Sequence, residues 1–232
     1  MSISARAPSL AAALFAAAAC AFTASSARAA AICGNGTYAY AGFDGRSASD
    51  GVSATISQSG ALDVRDGHVA GWIGVVDENT GNSWLQVGLS ALPNATTSGI
   101  YYEVAAPGNG AVYHQLQASV TPGVAHRFAV LELKNRPNWW RVWVDGRPVT
   151  APLHLRNSHD RWIPQVLGES WTGTSTGLCN RYAYAFADVS LLTADRRPAG
   201  ASVTAVQNLS YAIVHLSQTS FVATSTGKSA TS

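Results

Sequence analysis

Charged side chains are scarce in this sequence. They make up 12 % of its 232 residues, with 15 lysines and arginines against 13 aspartates and glutamates, and the formal net charge at pH 7 is only +2. Binding to nucleic acid or to an anionic membrane depends on a strongly positive surface. We therefore expect neither nucleic acid nor a membrane as a partner of the mature protein.

Long hydrophobic runs are also missing, apart from one near the N-terminus. The apolar stretch from Leu10 to Phe22 follows a single basic residue, Arg6, and precedes an Ala-Arg-Ala sequence that ends at Ala29. This order is typical of a secretory signal peptide, and the stretch is too short to span a bilayer. The sequence thus predicts a signal peptide over residues 1–29 and a protein that is secreted to the extracellular space.

Cysteine is rare as well, with three in the chain. One of them, Cys20, lies in the predicted signal peptide, so only Cys33 and Cys179 remain in the secreted protein. An isolated pair in an exported chain is typical of a disulfide rather than of a metal site or a nucleophile. We predict a Cys33–Cys179 disulfide, which stabilises the fold by about 4 kcal/mol on a chain-entropy model.

Sequence motifs of the common catalytic centres are absent. There is no Gly-x-Ser-x-Gly elbow, no phosphate-binding or dinucleotide-binding loop and no acidic calcium loop. His154 and His159 lie close together but lack the spacing of a zinc site, and we expect them to be solvated surface residues. The sequence therefore predicts no metal and no cofactor, which leaves carboxylate or amide chemistry, or simple binding.

Helical periodicity is missing from the chain beyond the signal peptide. Short runs rich in Val, Ile, Tyr and Trp occur instead, separated by Gly, Pro, Asn and Asp, which is typical of an antiparallel β-sandwich. Asp145-Gly146 lies between two such runs and predicts a two-residue hairpin turn. We predict an all-β protein with two antiparallel sheets, formed by one domain at residues 30–226 and followed by a disordered tail at 227–232. The clearest predicted strands are His68–Val76, Trp84–Ser90, Ile100–Ala105, His126–Leu133, Trp140–Val144, Gln165–Trp171, Arg181–Leu191, Leu209–Leu216 and Thr219–Thr224.

Strand alternation indicates which polar side chains share a surface. In the run that begins at Trp84, every second residue is Leu or Val and must face the core, which places Gln86 with Trp84 on the opposite face. Glu169 has apolar and aromatic neighbours on its strand, an environment in which a carboxylate must be solvated, paired or functional. For Glu103 and Glu132 we expect outward, solvated positions.

Five short motifs occur in order along the chain. They are Tyr40-Ala41-Gly42, Trp72-Ile73-Gly74, Leu85-Gln86-Val87-Gly88, Tyr101-Tyr102-Glu103 and Glu169-Ser170-Trp171. Their order and spacing resemble the landmarks of the glutamic peptidases, also called eqolisins or peptidase family G1, and the likeness covers nearly all of the chain beyond the signal peptide. The chain departs from the family pattern in two places. It has Val76 where the family usually has Asp, and Ser170 follows the Glu where the family has Trp.

The resemblance implies a concanavalin A-like jelly-roll sandwich and a catalytic dyad of Gln86 and Glu169. It also implies that Trp72, Trp84 and Glu103 contact the substrate. In such a dyad the glutamate deprotonates the attacking water and the glutamine amide stabilises the oxyanion. Because an ordinary glutamate titrates near pH ~4.3, the reaction should run best in acid. The resemblance thus predicts a secreted, monomeric endopeptidase that acts on polypeptides.

Two other functions stay open from the residues alone. A carbohydrate-binding or adhesion module would use the same concave face to stack exposed Trp and Tyr rings on sugars. A glycoside hydrolase would need two carboxylates on either side of the scissile bond, and Glu169 with Glu103 is the candidate pair. In both cases the partner would be a glycan instead of a polypeptide.

Overall fold

The computed structural model describes residues 32–106, 108–192, 198–199, 203–208, 210–217 and 219–226. Within these ranges the chain forms strands, turns and bends, and no helix there is long and apolar enough to cross a membrane. The predicted signal peptide at 1–29 and the predicted disordered tail at 227–232 lie outside the described residues.

The described residues form sixteen strands. They are β1 (Tyr38–Gly45), β2 (Gly51–Gln58), β3 (His68–Val76), β4 (Trp84–Ala91), β5 (Gly99–Ala105), β6 (Ala111–Gln117), β7 (His126–Glu132), β8 (Trp139–Val144), β9 (Arg147–Pro148), β10 (Leu153–His154), β11 (Ile163–Trp171), β12 (Ala183–Leu192), β13 (Pro198–Ala199), β14 (Val203–Gln207), β15 (Tyr211–Ser217) and β16 (Ser220–Ser225).

The strands pair into two antiparallel sheets. The first has seven strands in the order β14-β1-β11-β3-β4-β5-β6. The second has nine, in the order β10-β8-β7-β2-β12-β16-β15, with β13 added beside β12 and β9 beside β8. The two sheets pack face to face around one main hydrophobic core. The predicted all-β, two-sheet antiparallel sandwich is therefore confirmed.

The core lies between the sheets and follows the alternation of side chains along each strand. In β4, Leu85, Val87 and Leu89 are completely buried and contribute to this core. Phe128 and Trp140 face them from the nine-stranded sheet, also without exposure to solvent. Each such side chain contributes about 1.5–3 kcal/mol of hydrophobic stabilisation relative to an exposed one. Because the odd-numbered residues of β4 face the core, the even-numbered residues project from the outer face of the seven-stranded sheet.

The predicted hairpin turn is also present. Asp145 and Gly146 connect β8 to β9, in which Val144 pairs with Arg147. Both turn residues have positive φ angles, 49° for Asp145 and 76° for Gly146. A two-residue hairpin turn with two positive φ angles favours Asp followed by Gly, since Gly has no Cβ to clash in this conformation.

Four strands longer than two residues were not among those that the sequence predicted most clearly: β1, β2, β6 and β14. Their sequences contain many Ala, Gly, Ser and Gln residues, which have a weak intrinsic preference for strands. β1 is nevertheless paired on both sides, with β11 and β14, and β2 is paired with β7 and β12. Pairing within the sheets, rather than local propensity, thus determines these strands.

The predicted disulfide is confirmed. Cys33 and Cys179 are bonded, and their Cα atoms lie 4.9 Å apart although 146 positions separate them in sequence. Backbone hydrogen bonding continues beside the link, because Cys33 N donates to Gly177 O at 2.8 Å. The disulfide thereby joins the segment that precedes β1 to the loop between β11 and β12.

Replacing both cysteines with serine should lower the free energy of unfolding by about 4–5 kcal/mol. A link that closes a loop of 146 residues removes a correspondingly large entropy from the unfolded chain. Urea unfolding of the oxidised protein and of the Cys33→Ser/Cys179→Ser variant measures the difference, and wild-type protein in reductant should unfold like the variant. Equal urea midpoints for the oxidised and the variant protein would contradict a stabilising disulfide.

Candidate active site

A cleft of about 720 Å³ lies on the outer face of the seven-stranded sheet. All five residues that the resemblance implied as catalytic or substrate-binding line this cleft, because each projects from the outer face of its strand. They are Trp72 on β3, Trp84 and Gln86 on β4, Glu103 on β5 and Glu169 on β11. Their shared location is a finding of the tertiary structure, and their roles stay predictions.

The floor of the cleft is a small apolar cluster separate from the main core. Trp72 and Tyr101 belong to it, with 5 % and 2 % of their surface exposed. The two residues flank Gly88, which pairs with Trp72 on one side and with Tyr101 on the other. A Cβ at Gly88 would lie 2.9 Å from Trp72 Cβ and 2.1 Å from a backbone oxygen. Only glycine therefore allows the tryptophan to occupy this position.

The Glu169 carboxylate is almost completely buried at one end of this floor, with 6 % of the residue exposed. Oε1 accepts a hydrogen bond from His68 Nε2 at 2.8 Å, and Oε2 accepts one from Trp72 Nε1 at 3.0 Å. Burying a carboxyl group is costly unless its oxygens are hydrogen-bonded, and here each oxygen has a donor. The two donors also hold the carboxylate in one orientation.

Gln86 lies on the other side of Trp72 in the same cleft and is 8 % exposed. Its Nε2 donates to the hydroxyl of Tyr101 at 3.1 Å. Burial, followed by the nearby charge of Glu169, raises the pKa of Tyr101 well above its ordinary value, so this hydroxyl stays protonated. The amide nitrogen carries a second N–H, which leaves one donor for a ligand in the cleft.

Glu103 completes the set of predicted residues and is half-buried. Trp84 Nε1 donates to its Oε1 at 3.0 Å. Burial raises the pKa of Glu103, and the charge of Glu169 adds to this, whereas the Trp84 hydrogen bond and His68 act in the opposite direction. Burial likewise raises the pKa of Asp44, against a hydrogen bond from Gln165. Ionising these cleft carboxyl groups is therefore less favourable than ionising ordinary ones.

Several residues that line the cleft were not among the predicted site residues, above all His68. It stands four positions before Trp72 in a strand whose bounds were predicted correctly, so alternation alone places it on the same face. What the sequence could not indicate is its partner, since Glu169 is 101 positions away. Tyrosines are the other group that was missed, and Tyr38, Tyr40, Tyr101 and Tyr113 all line the cleft.

One expectation about the glutamates was wrong. Glu132 was expected to be solvated, but only 4 % of it is exposed. His159 Nδ1 binds its Oε2 at 2.8 Å, and the backbone N of Asn138 donates to its Oε1. His159 also brings its ring near Asp50 and Asp160, with the ligating atoms of the three residues within 4.8 Å of one another. This group lies on the nine-stranded sheet side, outside the cleft.

A buried asparagine connects the ends of the two strands that carry His68 and Glu169. Asn180 is completely buried, and its Nδ2 donates to Trp171 O at 2.8 Å and to His68 O at 3.3 Å. It directly follows Cys179 in sequence. The disulfide-bonded loop thus donates hydrogen bonds to the backbone of both β3 and β11, at the end of the cleft where Glu169 lies.

No protein-family model matches this sequence, and no curated protein sequence matches it either. Solved structures do match its fold. Scytalido-glutamic peptidase, solved with a transition state analog inhibitor, matches with a TM-score of 0.60 at 18 % identity, over 82 % of this chain and 100 % of the peptidase chain. The same peptidase with a peptide-based transition state analog gives 0.57 at 16 % identity, over 82 % and 98 % of the two chains.

A third similar structure is SCP-B, a member of the eqolisin family of peptidases, in complex with the tripeptide Ala-Ile-His. Its TM-score is 0.51 at 12 % identity, over 82 % of this chain and 98 % of SCP-B. At such low identities the likeness establishes the fold alone. The chain therefore has the sandwich fold of these peptidases, as the sequence resemblance implied.

Replacing Glu103 with Gln should stabilise the protein at neutral pH but not in acid. Because the pKa of Glu103 is raised in the folded state, that state holds its proton more tightly than the unfolded chain does. The folded state thus loses stability as the pH rises beyond about 4.3, the ordinary glutamate value, and the amide variant does not. Urea midpoints of both proteins between pH 3 and pH 8 measure this. The exposed Glu78→Gln controls for the change in net charge, and a Glu103→Gln effect that is independent of pH would contradict the interpretation.

Proposed function

We propose that this protein is a secreted endopeptidase of the glutamic type, which cleaves polypeptides in acid. The observation that carries the proposal is the Glu169 carboxylate, buried at the cleft floor with both oxygens held by donors and with the Gln86 amide in the same cleft. A carboxylate oriented in this way is suited to act as a general base. The matching fold of two peptidase structures supports the same conclusion.

The reaction begins with a water molecule between Glu169 and the scissile peptide bond. Glu169 takes a proton from this water while the water oxygen bonds to the carbonyl carbon. The carbonyl oxygen becomes an oxyanion, to which the second N–H of Gln86 donates. As the C–N bond breaks, the protonated Glu169 gives its proton to the leaving amine, which restores the carboxylate. Trp72 keeps the base in place through its hydrogen bond to Oε2.

The raised pKa values of two carboxyl groups in the cleft support an acidic working range. Glu103 and Asp44 both have raised pKa values because of burial, so they are neutral over a wider acidic range than ordinary carboxyl groups. In acid the cleft therefore avoids the repulsion between the Glu103 and Glu169 carboxylates. The signal-like N-terminus and the Cys33–Cys179 disulfide support secretion, because structural disulfides persist outside the cytosol.

A glycoside hydrolase is the second candidate, and one observation favours it. Glu103 and Glu169 line the same cleft, and the raised pKa of Glu103 is the property that a general acid needs. The two functions differ in the residue that they require besides Glu169. A glycosidase loses its activity in Glu103→Gln and tolerates Gln86→Ala, whereas a glutamic peptidase depends on Gln86.

Glu169→Gln should abolish the cleavage of denatured proteins at acid pH without unfolding the protein. The amide has nearly the same shape as the carboxylate but cannot accept a proton from water, so turnover falls rather than stability. Glu132→Gln is a matched control, because Glu132 is equally buried and is also hydrogen-bonded to a histidine, but outside the cleft. Activity is measured by peptide release between pH 2 and pH 7. A wild-type protein that releases no peptides at any of these pH values would overturn the proposal.

Gln86→Ala should lower kcat by about 10²–10³-fold, the usual effect of removing one oxyanion donor. The loss should appear mainly in kcat, because the oxyanion exists only after the water has attacked. Steady-state kinetics on a fluorogenic peptide separate kcat from KM. A change confined to KM would assign Gln86 to substrate binding instead.

A further inference from the structure

The hydrogen bond between His68 and Glu169 is not explained by the chemistry of a Gln/Glu dyad. His68 is the first residue of β3, directly opposite Trp171 of β11. Its ring centroid lies 5.7 Å from that of Trp171 and 6.1 Å from that of Tyr38. The imidazole thus packs beside two aromatic rings that also stack on each other, with Nε2 at 2.8 Å from Glu169 Oε1. About a quarter of the His68 side chain is exposed, compared with 8 % for Glu169.

We propose that His68 is a positioning residue that keeps Glu169 ionised in acid. The inference rests on the proposed function, in which Glu169 must be a carboxylate in order to accept a proton from water. Histidine is the side chain that most readily becomes a cation in acid, and a protonated His68 forms an ion pair with the carboxylate that it contacts. A charge-assisted hydrogen bond of this kind is about twice as strong as a neutral one. The imidazolium thereby offsets the cost of burying a negative charge at Glu169.

The charges around the pair support this role. His68 is the only basic side chain among the described residues that line the cleft. Burial raises the pKa values of the tyrosines that face the pair, so these groups are neutral and supply no charge. Glu103 is an acidic neighbour, and its charge would disfavour a second carboxylate at position 169. The titratable groups that face His68 and Glu169 are Tyr38 and Tyr40 on β1 and Tyr101 and Glu103 on β5.

Two substitutions separate the charge of His68 from its hydrogen bond. His68→Gln retains an N–H donor at a similar reach but cannot become a cation, whereas His68→Ala removes the donor as well. His126→Gln is the matched control, because His126 also binds a carboxylate at 2.8 Å, that of Asp145, and lies at the start of β7 in the other sheet. All variants are compared as the mature, oxidised protein, with circular dichroism as the check on folding.

The ionisation of Glu169 can be followed without any assay of activity. The chain contains only four glutamates, so selective ¹³C labelling of their carboxyl carbons gives four signals, of which Glu169→Gln removes one and thereby assigns it. We expect the Glu169 signal to change from carboxylate to carboxylic acid at a pH higher by about one unit in His68→Gln than in the wild type. In His126→Gln it should follow the wild type. An unchanged titration in His68→Gln overturns the proposal.

The kinetic consequence follows from the same change. The acid limb of the kcat/KM profile should move to higher pH by about one unit in His68→Gln, with the plateau retained. In His68→Ala the plateau should fall as well, because the carboxylate loses one of its two fixed donors. If the wild type cleaves no peptide but the ¹³C titration shifts as expected, the His68–Glu169 pair stands and the peptidase function falls. A shift in titration without a shift of the acid limb in an active enzyme overturns the role of His68 in catalysis.

Discussion

A carboxylate buried on the outer face of a sheet is the constraint around which this cleft is built. An isolated buried charge is strongly unfavourable, so the surrounding residues must supply donors, a cation or both. Trp72 provides one donor and His68 provides the other, from two residues on the same face of β3. Trp72 in turn requires glycine at position 88, because any Cβ there would clash with the Cα and Cβ atoms of Trp72. The position of Glu169 thus depends on residues of β3 and β4, the next two strands of the sheet.

The same arrangement places the second polar group of the cleft. Trp72 and Tyr101 lie on either side of Gly88, and the Tyr101 hydroxyl accepts a hydrogen bond from Gln86. Glu169 and Gln86 are therefore both anchored to the aromatic floor, one on either side of Trp72. Beyond Glu169, Asn180 donates hydrogen bonds to the ends of β3 and β11, and the neighbouring disulfide joins its loop to the segment that precedes β1. The proposed reaction, in which Glu169 accepts a proton and then returns it, benefits from this fixed environment.

The cleft also imposes a dependence on pH. Ionised Glu103 and Asp44 are disfavoured by burial, so the folded state tolerates acid better than a protein whose carboxylates are all stabilised by ion pairs. Within the described residues, four of the five close ion pairs involve a histidine rather than a lysine or an arginine. Such pairs are strongest when the imidazole is protonated, which is the acidic range. The electrostatics of the described fold and of the proposed reaction thus favour the same conditions.

Several features of this protein were determined by local sequence. Alternation placed Leu85, Val87 and Leu89 in the core and Gln86 on the outer face, because the side-chain period of a strand is fixed by its backbone. The Asp145-Gly146 turn follows from the tolerance of Asp and Gly for positive φ angles. The disulfide follows from the presence of only two cysteines beyond the predicted signal peptide.

Other features were decided only by the tertiary structure. The pairing of His68 with Glu169, the burial of Glu132 under His159 and the existence of β1 and β2 all depend on strands that are far apart in sequence. A sequence pattern reports the face on which a residue lies, but the neighbour across the sheet is set by the strand order and the register of pairing. Those are properties of the whole fold, since each strand is positioned by the strands on both of its sides.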